Sequence, residues 1–137
     1  NSRGVTRAWV KTFDTLSSTF LTISTEKLVL LAGTYIIEAS APAYTVGTHQ
    51  LRLNRYNSGN TTQQIIPGSS ETAGATTQSR SFVRGLMVFA SGDYLKLQHF
   101  TTSAVATNGL GLPTNAVAEG GETLLEIYAQ VRIQKVA

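Results

Sequence analysis

Two histidines, His49 and His99, are the side chains of this sequence most suited to bind a metal ion or to transfer a proton. Each alternates with leucines, in "HQLRL" and "LKLQHF", so each lies on the leucine side of a predicted strand. Metal sites in β-barrels usually have ligands two residues apart on one strand, such as H-x-H, with a carboxylate. Neither histidine has a histidine or an acid two residues away. We therefore expect each to end a core-facing row under a loop, with no metal and no cofactor; a metal site shared around a three-fold axis is the alternative.

The acidic residues do not form a recognisable catalytic pair. Asp93 lies in the turn "SGD", where an Asx-type hydrogen bond explains it without chemistry. The sequence also has no G-x-S-x-G, no P-loop and no G-x-G-x-x-G motif. These absences predict a protein that is not an enzyme. The carboxylates considered are Asp14, Glu26, Glu38, Glu71, Asp93, Glu119, Glu122 and Glu126.

The composition excludes several other classes of protein. Of the 137 residues only 14% are charged, below the usual quarter, and the net charge is +3. The arginines are scattered, so we expect no nucleic-acid binding. The absence of cysteine excludes disulfides and thiolate-bound metal, and no apolar run approaches the ~20 residues of a membrane span. The chain begins with Asn1 rather than Met, and we expect it to be an excerpt of a longer protein.

Alternation with a period of two recurs along the sequence and predicts β-strands. Clear examples are "GTYIIEASAPAY" (33–44), "HQLRLNRY" (49–56), "YLKLQHF" (94–100) and "LLEIYAQVRIQKV" (124–136). Pro42 is expected to end the first of these, because proline has no N–H to donate to a ladder. A tight hairpin is expected at "SGD" (91–93), with long surface loops at 67–79 and 101–121. These short strands predict one all-β domain, either a sandwich or a barrel.

Aromatic and neutral polar side chains share the strand faces that point away from the leucines. If Leu95 and Leu97 are buried, the residues that alternate with them face outward, and the last strand has a similar outward face. Protein interfaces are typically enriched in Tyr and Arg and depleted of Lys and Glu. We therefore predict a subunit interface on these faces. Its predicted residues are Tyr94, Gln98, Phe100, Tyr128 and Arg132.

Several of these stretches resemble a known family. The segment "LAGTYIIEASAPAYTVGTHQLRLNRYNSG" (31–59), followed by "GSSETA", "SRSFVRG", "LKLQHF", "TNGLGLP" and "EIYAQVRIQKV", is similar to the C-terminal domains of bacteriophage tail fibres and related tail proteins. More distantly, "GTYIIEA" (33–39) resembles the GxYxFxA strand of C1q and tumour-necrosis-factor-like (TNF-like) jelly rolls. "GDYLKL" (92–97) likewise resembles their GDxVxL strand. The resemblance covers about residues 28–137.

This resemblance implies an all-β jelly-roll β-sandwich of the C1q/TNF-like type, with about ten antiparallel strands and assembled as a homotrimer. It also implies a place in the virion, at the tip of a tail fibre or tailspike, where the domain acts outside the cell on a host surface. Residues 28–137 would form the head domain. Residues 1–27 match less well and would form either a first strand pair or the exit from a fibre stem.

The leading hypothesis is therefore a homotrimeric head domain that binds a bacterial surface glycan or protein receptor. Amide groups suit sugar hydroxyls, and an aromatic ring suits the apolar face of a sugar, so the loops are expected to contact the ligand. One alternative is a purely structural trimerisation or capsid-decoration module without receptor binding. Another is a cupin-like metalloenzyme. The predicted ligand-binding residues are Tyr44, Asn57, Asn60, Asn108 and Asn115.

Overall fold

Nine β-strands and no helix make up the part of the chain that the structure, a computed structural model, describes: residues 5–6, 20–113 and 128–137. Within these residues there is consequently no helix that could cross a membrane. The strands are β1 (Val5–Thr6), β2 (Leu21–Ser24), β3 (Lys27–Leu30), β4 (Gly33–Tyr44), β5 (Gly47–Tyr56), β6 (Thr62–Ala73), β7 (Gln78–Phe89), β8 (Tyr94–Thr101) and β9 (Gln130–Lys135).

The strands form two antiparallel sheets. The large sheet has the order β2-β3-β8-β5-β6, with β1 paired to β8, and the small sheet has the order β7-β4-β9. Strands that follow one another in the sequence often lie in different sheets. The chain passes from the small sheet to the large sheet between β4 and β5, and again between β7 and β8. This arrangement confirms the predicted all-β sandwich.

The core lies between the two sheets because alternation turns every second side chain of each strand inward. The leucine rows predicted to be buried, Leu51 with Leu53 and Leu95 with Leu97, are 0% exposed. Each fully buried leucine contributes roughly 1.5–3 kcal/mol of hydrophobic stabilisation. Val131 of β9 packs against the same cluster. The buried cluster comprises Leu28, Leu30, Tyr35, Ile37, Ala39, Ala41, Leu51, Leu53, Val83, Met87, Phe89, Leu95 and Leu97.

Antiparallel pairing divides the connections between two ends of the sandwich. The connections β4–β5 and β6–β7, and the segment that follows β8, lie at one end, here named the Gly47 end. The connections β3–β4, β5–β6 and β7–β8 lie at the other, here named the Gly92 end. Gly47 and Gly92 both have positive φ, of 78° and 86°, which glycine adopts without steric cost.

The turn at 91–93 is tight, as predicted, but it is not a hairpin within one sheet. It carries the chain from β7 in the small sheet to β8 in the large sheet. The Asp93 carboxylate accepts the Ala90 N–H at 3.0 Å and forms an ion pair of 2.6 Å with Arg55. Because the aspartate side chain is only 5% exposed, this ion pair fixes the turn to the end of β5.

The prediction that Pro42 ends its strand is wrong. Pro42 lies within β4, opposite Arg80 of β7, and the ladder continues to Tyr44. Pairing between β4 and β9 stops at Ser40. Pro42 thus lies two residues beyond the last described pair between β4 and β9, Ser40 with Gln130.

The predicted surface loop at 67–79 is also wrong, because β6 and β7 occupy most of it and leave only residues 74–77 as a connection. A bulge interrupts the ladder between β5 and β6 at this point. A side chain at Gly68 would collide with the backbone of Phe82. Ser69 accepts the Phe82 N–H at 3.1 Å, and its carbonyl accepts the Ser81 hydroxyl at 2.6 Å. The small residues that suggested a loop instead let β6 approach β7 and close this side of the sandwich.

Candidate functional site

The two histidines meet inside the sandwich. His49 Nδ1 lies 2.8 Å from His99 Nε2, and His49 Nε2 lies 2.8 Å from Ser79 Oγ. His49 and His99 are on the neighbouring strands β5 and β8, whereas Ser79 is on β7 of the opposite sheet. The histidines are 2% and 1% exposed. Their predicted core-facing position is confirmed, and the contact connects the two sheets.

The chain of serine, histidine and histidine has the spacing of a nucleophile, a base and a group that orients the base. Catalysis also needs a space about 3 Å from the nucleophile where a substrate atom can sit. Ser79 points between the sheets, toward a histidine packed in the core, so the hydrogen bonds satisfy buried polar groups. Among the residues that the structure describes, no group of three or more His, Asp or Glu could hold a metal ion.

The part of β7 that faces outward from the small sheet has apolar side chains in water. Phe82, Leu86 and Val88 of β7 are 59%, 55% and 57% exposed. Alternate residues of the same strand, including Val83 and Met87, are buried in the core. A strand with apolar residues on both sides is typical of a sheet that is covered on both faces. The outer face of β4, β7 and β9 is here named the small-sheet face.

Charged residues cross the middle of the small-sheet face in one row. Glu38 of β4 is opposite Arg84 of β7 and Arg132 of β9, and its carboxylate oxygens lie 3.1 Å and 3.5 Å from them. The arginine side chains are 70% and 75% exposed, so in water these ion pairs contribute little to stability. The row has one more cation than anion. It places charge between the exposed apolar side chains of β7 and the polar outer side of β9.

The predicted interface residues do not share one surface. Gln98 and Phe100 lie on the outer face of the large sheet, and Arg132 lies on the small-sheet face. Tyr128 precedes β9 and is half-buried, with its ring close to Gly111. Alternation places Gln98, Phe100 and Arg132 on the outward sides of their strands, but β8 and β9 belong to opposite sheets.

Tyr94 lies on the face of β8 opposite to Leu95, as predicted, yet it is only 5% exposed. Its ring stacks on Tyr56 with centroids 5.2 Å apart and an angle of 9° between the planes. The Lys27 ammonium lies 4.2 Å from the ring centroid, and the hydroxyl donates to Asn60 Oδ1 at 2.9 Å. Neighbouring side chains therefore cover Tyr94, and its outward direction does not make it available to a partner.

A second set of contacts orders the middle of the large-sheet face. The Arg52 guanidinium lies 4.0 Å from the Phe100 ring centroid, and its Nε donates to Gln98 Oε1 at 2.8 Å. The same oxygen accepts from Asn54 Nδ2 at 2.6 Å. Gln98 and Phe100 thus have partners within their own chain, unlike the apolar side chains of the small-sheet face.

The predicted ligand residues are divided between the two ends of the sandwich. Tyr44 and Asn108 lie at the Gly47 end, where the Tyr44 N–H donates to the Gly109 carbonyl at 3.2 Å. Asn57 and Asn60 lie at the Gly92 end, in the β5–β6 connection. Asn115 is outside the described residues.

The two asparagines at the Gly92 end have structural roles. Asn57 Oδ1 accepts the Thr61 N–H at 2.9 Å, so its side chain closes the β5–β6 turn. Asn60 has a φ of 65° and accepts the hydroxyl of Tyr94. Turn formation therefore explains both amide groups.

Comparison with known proteins identifies the fold. No family model matches the sequence, and no curated protein matches it. Among solved structures the chain is similar to that of Eiger TNF from S. frugiperda, with a TM-score of 0.52 and 16% sequence identity. The similarity covers 85% of this chain and 69% of that chain. It confirms a TNF-like jelly roll and, at this identity, shows the fold alone.

Replacing Tyr94 with Phe is expected to lower the free energy of unfolding by about 1 kcal/mol, because it removes the hydrogen bond to Asn60. Burial, and then the charge of Tyr56, raises the pKa of Tyr94 above its ordinary value. The unfolded chain therefore loses this proton first as the pH rises above ~10, and stability falls there. Urea unfolding at pH 8 and at pH 10.5 measures both effects.

The control for this experiment is Tyr44→Phe, which alters a tyrosine without a described hydroxyl hydrogen bond. The Tyr94 variant should lose stability at pH 8 and should also lose part of the alkaline destabilisation of the unmodified protein. Equal stability of the two variants at both pH values would show that the Tyr94 contacts are unimportant.

Proposed function

We propose that this chain is the head domain of a phage tail fibre or tailspike, which assembles a homotrimer and binds the surface of a bacterial host. The observation that carries the assembly part is the set of exposed apolar side chains that β7 contributes to the small-sheet face, Phe82, Leu86 and Val88. The TNF-like fold and the resemblance of the sequence to tail-fibre domains also support the proposal of a trimeric head domain. The domain would act in the virion and outside the cell, without a catalytic step, a cofactor, nucleic acid or membrane insertion.

The size of the small-sheet face suits an interface between copies. Three strands of about ten residues, spaced ~4.8 Å apart, have an outer area of about 500 Å². A stable interface usually buries about 800 Å² on each partner. The face would therefore form most of the contact, and neighbouring strand edges or loops would form the remainder. Exposed apolar side chains clustered on one face are a recognised mark of such a site.

A closed three-fold ring also accounts for the chemistry of this face. In such a ring each copy contributes two different patches to its two neighbours. Leu86 and Val88 would supply apolar area, while the surplus arginine of the Glu38 row would need an acceptor on the facing copy. Arginine is common in interfaces because its planar group binds carboxylates through two parallel hydrogen bonds.

Host binding would fall to the connections at one end of the assembled sandwiches. A trimer presents three copies of each connection, so weak contacts with a surface glycan or protein add up through avidity. Tyr44 and Asn108 at the Gly47 end remain candidates for these contacts. Asn57 and Asn60 are weaker candidates, because the turn uses their side chains.

A structural trimerisation or capsid-decoration module is the second candidate. The turn contacts of Asn57 and Asn60 favour it, because they reduce the set of amide groups offered to a ligand. The small-sheet face would serve this module in the same way. Only the presence or absence of binding to cells distinguishes the two candidates.

If three copies associate through the small-sheet face, Leu86→Glu should convert the trimer into monomers. The new carboxylate would be buried in the interface without a partner, at a cost of several kcal/mol. The matched control is Phe100→Glu on the outer face of the large sheet. Light scattering coupled to size-exclusion chromatography measures the mass of both variants, and circular dichroism verifies their folding.

The outcome expected is a monomer for Leu86→Glu and a trimer for Phe100→Glu. The reverse outcome would move the interface to the large sheet, where the predicted interface residues Gln98 and Phe100 lie. A trimer for both variants would remove both faces from the interface.

The binding part predicts that the purified, fluorescently labelled trimer binds to a subset of bacterial strains, whereas folded Leu86→Glu monomer binds far more weakly. The loss should exceed tenfold, because avidity commonly contributes 10²–10⁴-fold. Flow cytometry of a strain panel measures this. If no strain binds the trimer while the mass measurements still show three copies, the structural module becomes the better account.

A further inference from the structure

A buried polar layer crosses the sandwich between two apolar clusters. The layer contains His49, His99, Ser79 and Ser81, of which both histidines and Ser81 are buried. On the Gly92 side lies the main core, and on the Gly47 side lies a small cluster of Ala43, Val46 and Ala73 with Val105 packed against it. Ser81 connects the layer to the backbone, since its hydroxyl accepts the Leu51 N–H at 3.0 Å.

The contact between the histidines limits how many protons the layer can hold. Two imidazoles have four ring nitrogens, and the neutral pair has protons on two of them. Because His49 Nδ1 and His99 Nε2 are 2.8 Å apart, only one of these two nitrogens can hold a proton. The folded pair therefore accepts at most three protons, whereas the separated rings of an unfolded chain accept four.

The first added proton is accommodated without breaking a contact. A charged His49 can donate from Nδ1 to His99 and from Nε2 to Ser79. Glu71 on β6 is the cross-strand neighbour of His49 and offers a negative charge on that side. A second added proton cannot be accommodated by these hydrogen bonds, because the N–H groups of His49 and His99 would then point at each other.

Among the described residues next to the layer, Arg80 also carries a charge, and its side chain points away from the histidines. Arg80 follows Ser79 on β7, but its guanidinium donates to Ser40 Oγ at 3.0 Å and to the Tyr128 carbonyl at 3.3 Å. The neighbouring positions on β8, β4 and β1 are uncharged. The inward side of β8 continues from His99 to Thr101, and the nearest inward residue of β4 is Ala43. Val5 of β1 is the register partner of His99. Both histidines have further interactions within the chain. The limit of three protons follows from the 2.8 Å contact between His49 Nδ1 and His99 Nε2 alone.

We propose that the His49–His99 contact is an acid-sensitive lock, which opens the Gly47 end of the sandwich when both rings become fully protonated. Opening would separate the polar layer and release the small apolar cluster, while the main core on the other side of the layer stays closed. The segment after β8 would be released as well. Its present attachments to the β4–β5 turn include the Ser103 N–H donating to the Val46 carbonyl at 3.0 Å. This proposal does not depend on the proposed function.

These histidines are the only two in the sequence, so no other side chain has its ordinary titration range between pH 5 and 8. Below that range the unfolded chain holds at least one proton more than the folded pair. The unfolding equilibrium constant should therefore rise at least about tenfold for each unit of pH lost, from this proton alone. Stability is thus highest above the histidine range and falls as the pH decreases through it.

The test is urea unfolding between pH 7.5 and 4.5 for three proteins: the unmodified chain, His99→Gln and Ser81→Ala. The glutamine introduced by His99→Gln can accept from His49 without limiting its protonation, so this variant should lose the extra tenfold change per pH unit. Ser81→Ala removes a buried hydrogen bond of the same layer but leaves the histidine contact, so it should be less stable at every pH and keep the full slope. Equal slopes for the unmodified chain and His99→Gln would overturn the proposal.

Side-chain nitrogen NMR of the unmodified chain provides a second readout that needs no variant. Four imidazole nitrogen signals are expected, and at pH 5 the folded protein should show one of them still without a proton. Hydrogen exchange at that pH should show residues 45–48 and 102–113 opening before β4 and β7. Two fully protonated rings in a folded protein, with the Gly47 end still protected, would contradict the lock.

Discussion

A sheet has two faces, and the core of a two-layer sandwich covers only one of them. This constraint governs the small sheet, because β7 has apolar side chains on both of its faces. Val83, Met87 and Phe89 close the core, and Phe82, Leu86 and Val88 are left in water. The fold of one chain cannot bury both sets. Assembly with further copies is the simplest way to cover the second set, and it uses a surface that the fold itself creates.

The periodicity of the sequence was sufficient to predict β4, β5 and β8 and their inward faces. Leu51, Leu53, Leu95 and Leu97 lie where alternation placed them, and the TNF-like fold agrees with the resemblance found in "GTYIIEA" and "GDYLKL". The strand prediction failed where small residues, which are common in loops, form part of a strand. The segment at 67–79 suggested a loop, yet its glycine and serines allow a bulged strand to approach β7.

Alternation also shows which side of its own strand a residue occupies, but not which sheet the strand joins or what covers it. Tyr94 and Arg132 were both assigned outward positions correctly, and they lie on opposite sides of the sandwich. Tyr94 is covered by Tyr56 and Lys27, which come from other strands. The contact between His49 and His99 likewise depends on the register of β5 with β8. The sequence did contain a signal for the proposed interface: "FVRGLMVF" has no fully polar side, which is typical of a strand covered on both faces.

Sedimentation equilibrium of the unmodified chain, from submicromolar to tens of micromolar, tests the central claim most directly. The account predicts a single species with three times the 14.7 kDa mass of one chain, because a monomer would leave the small-sheet face in water. A folded species of 14.7 kDa across that whole range would contradict it.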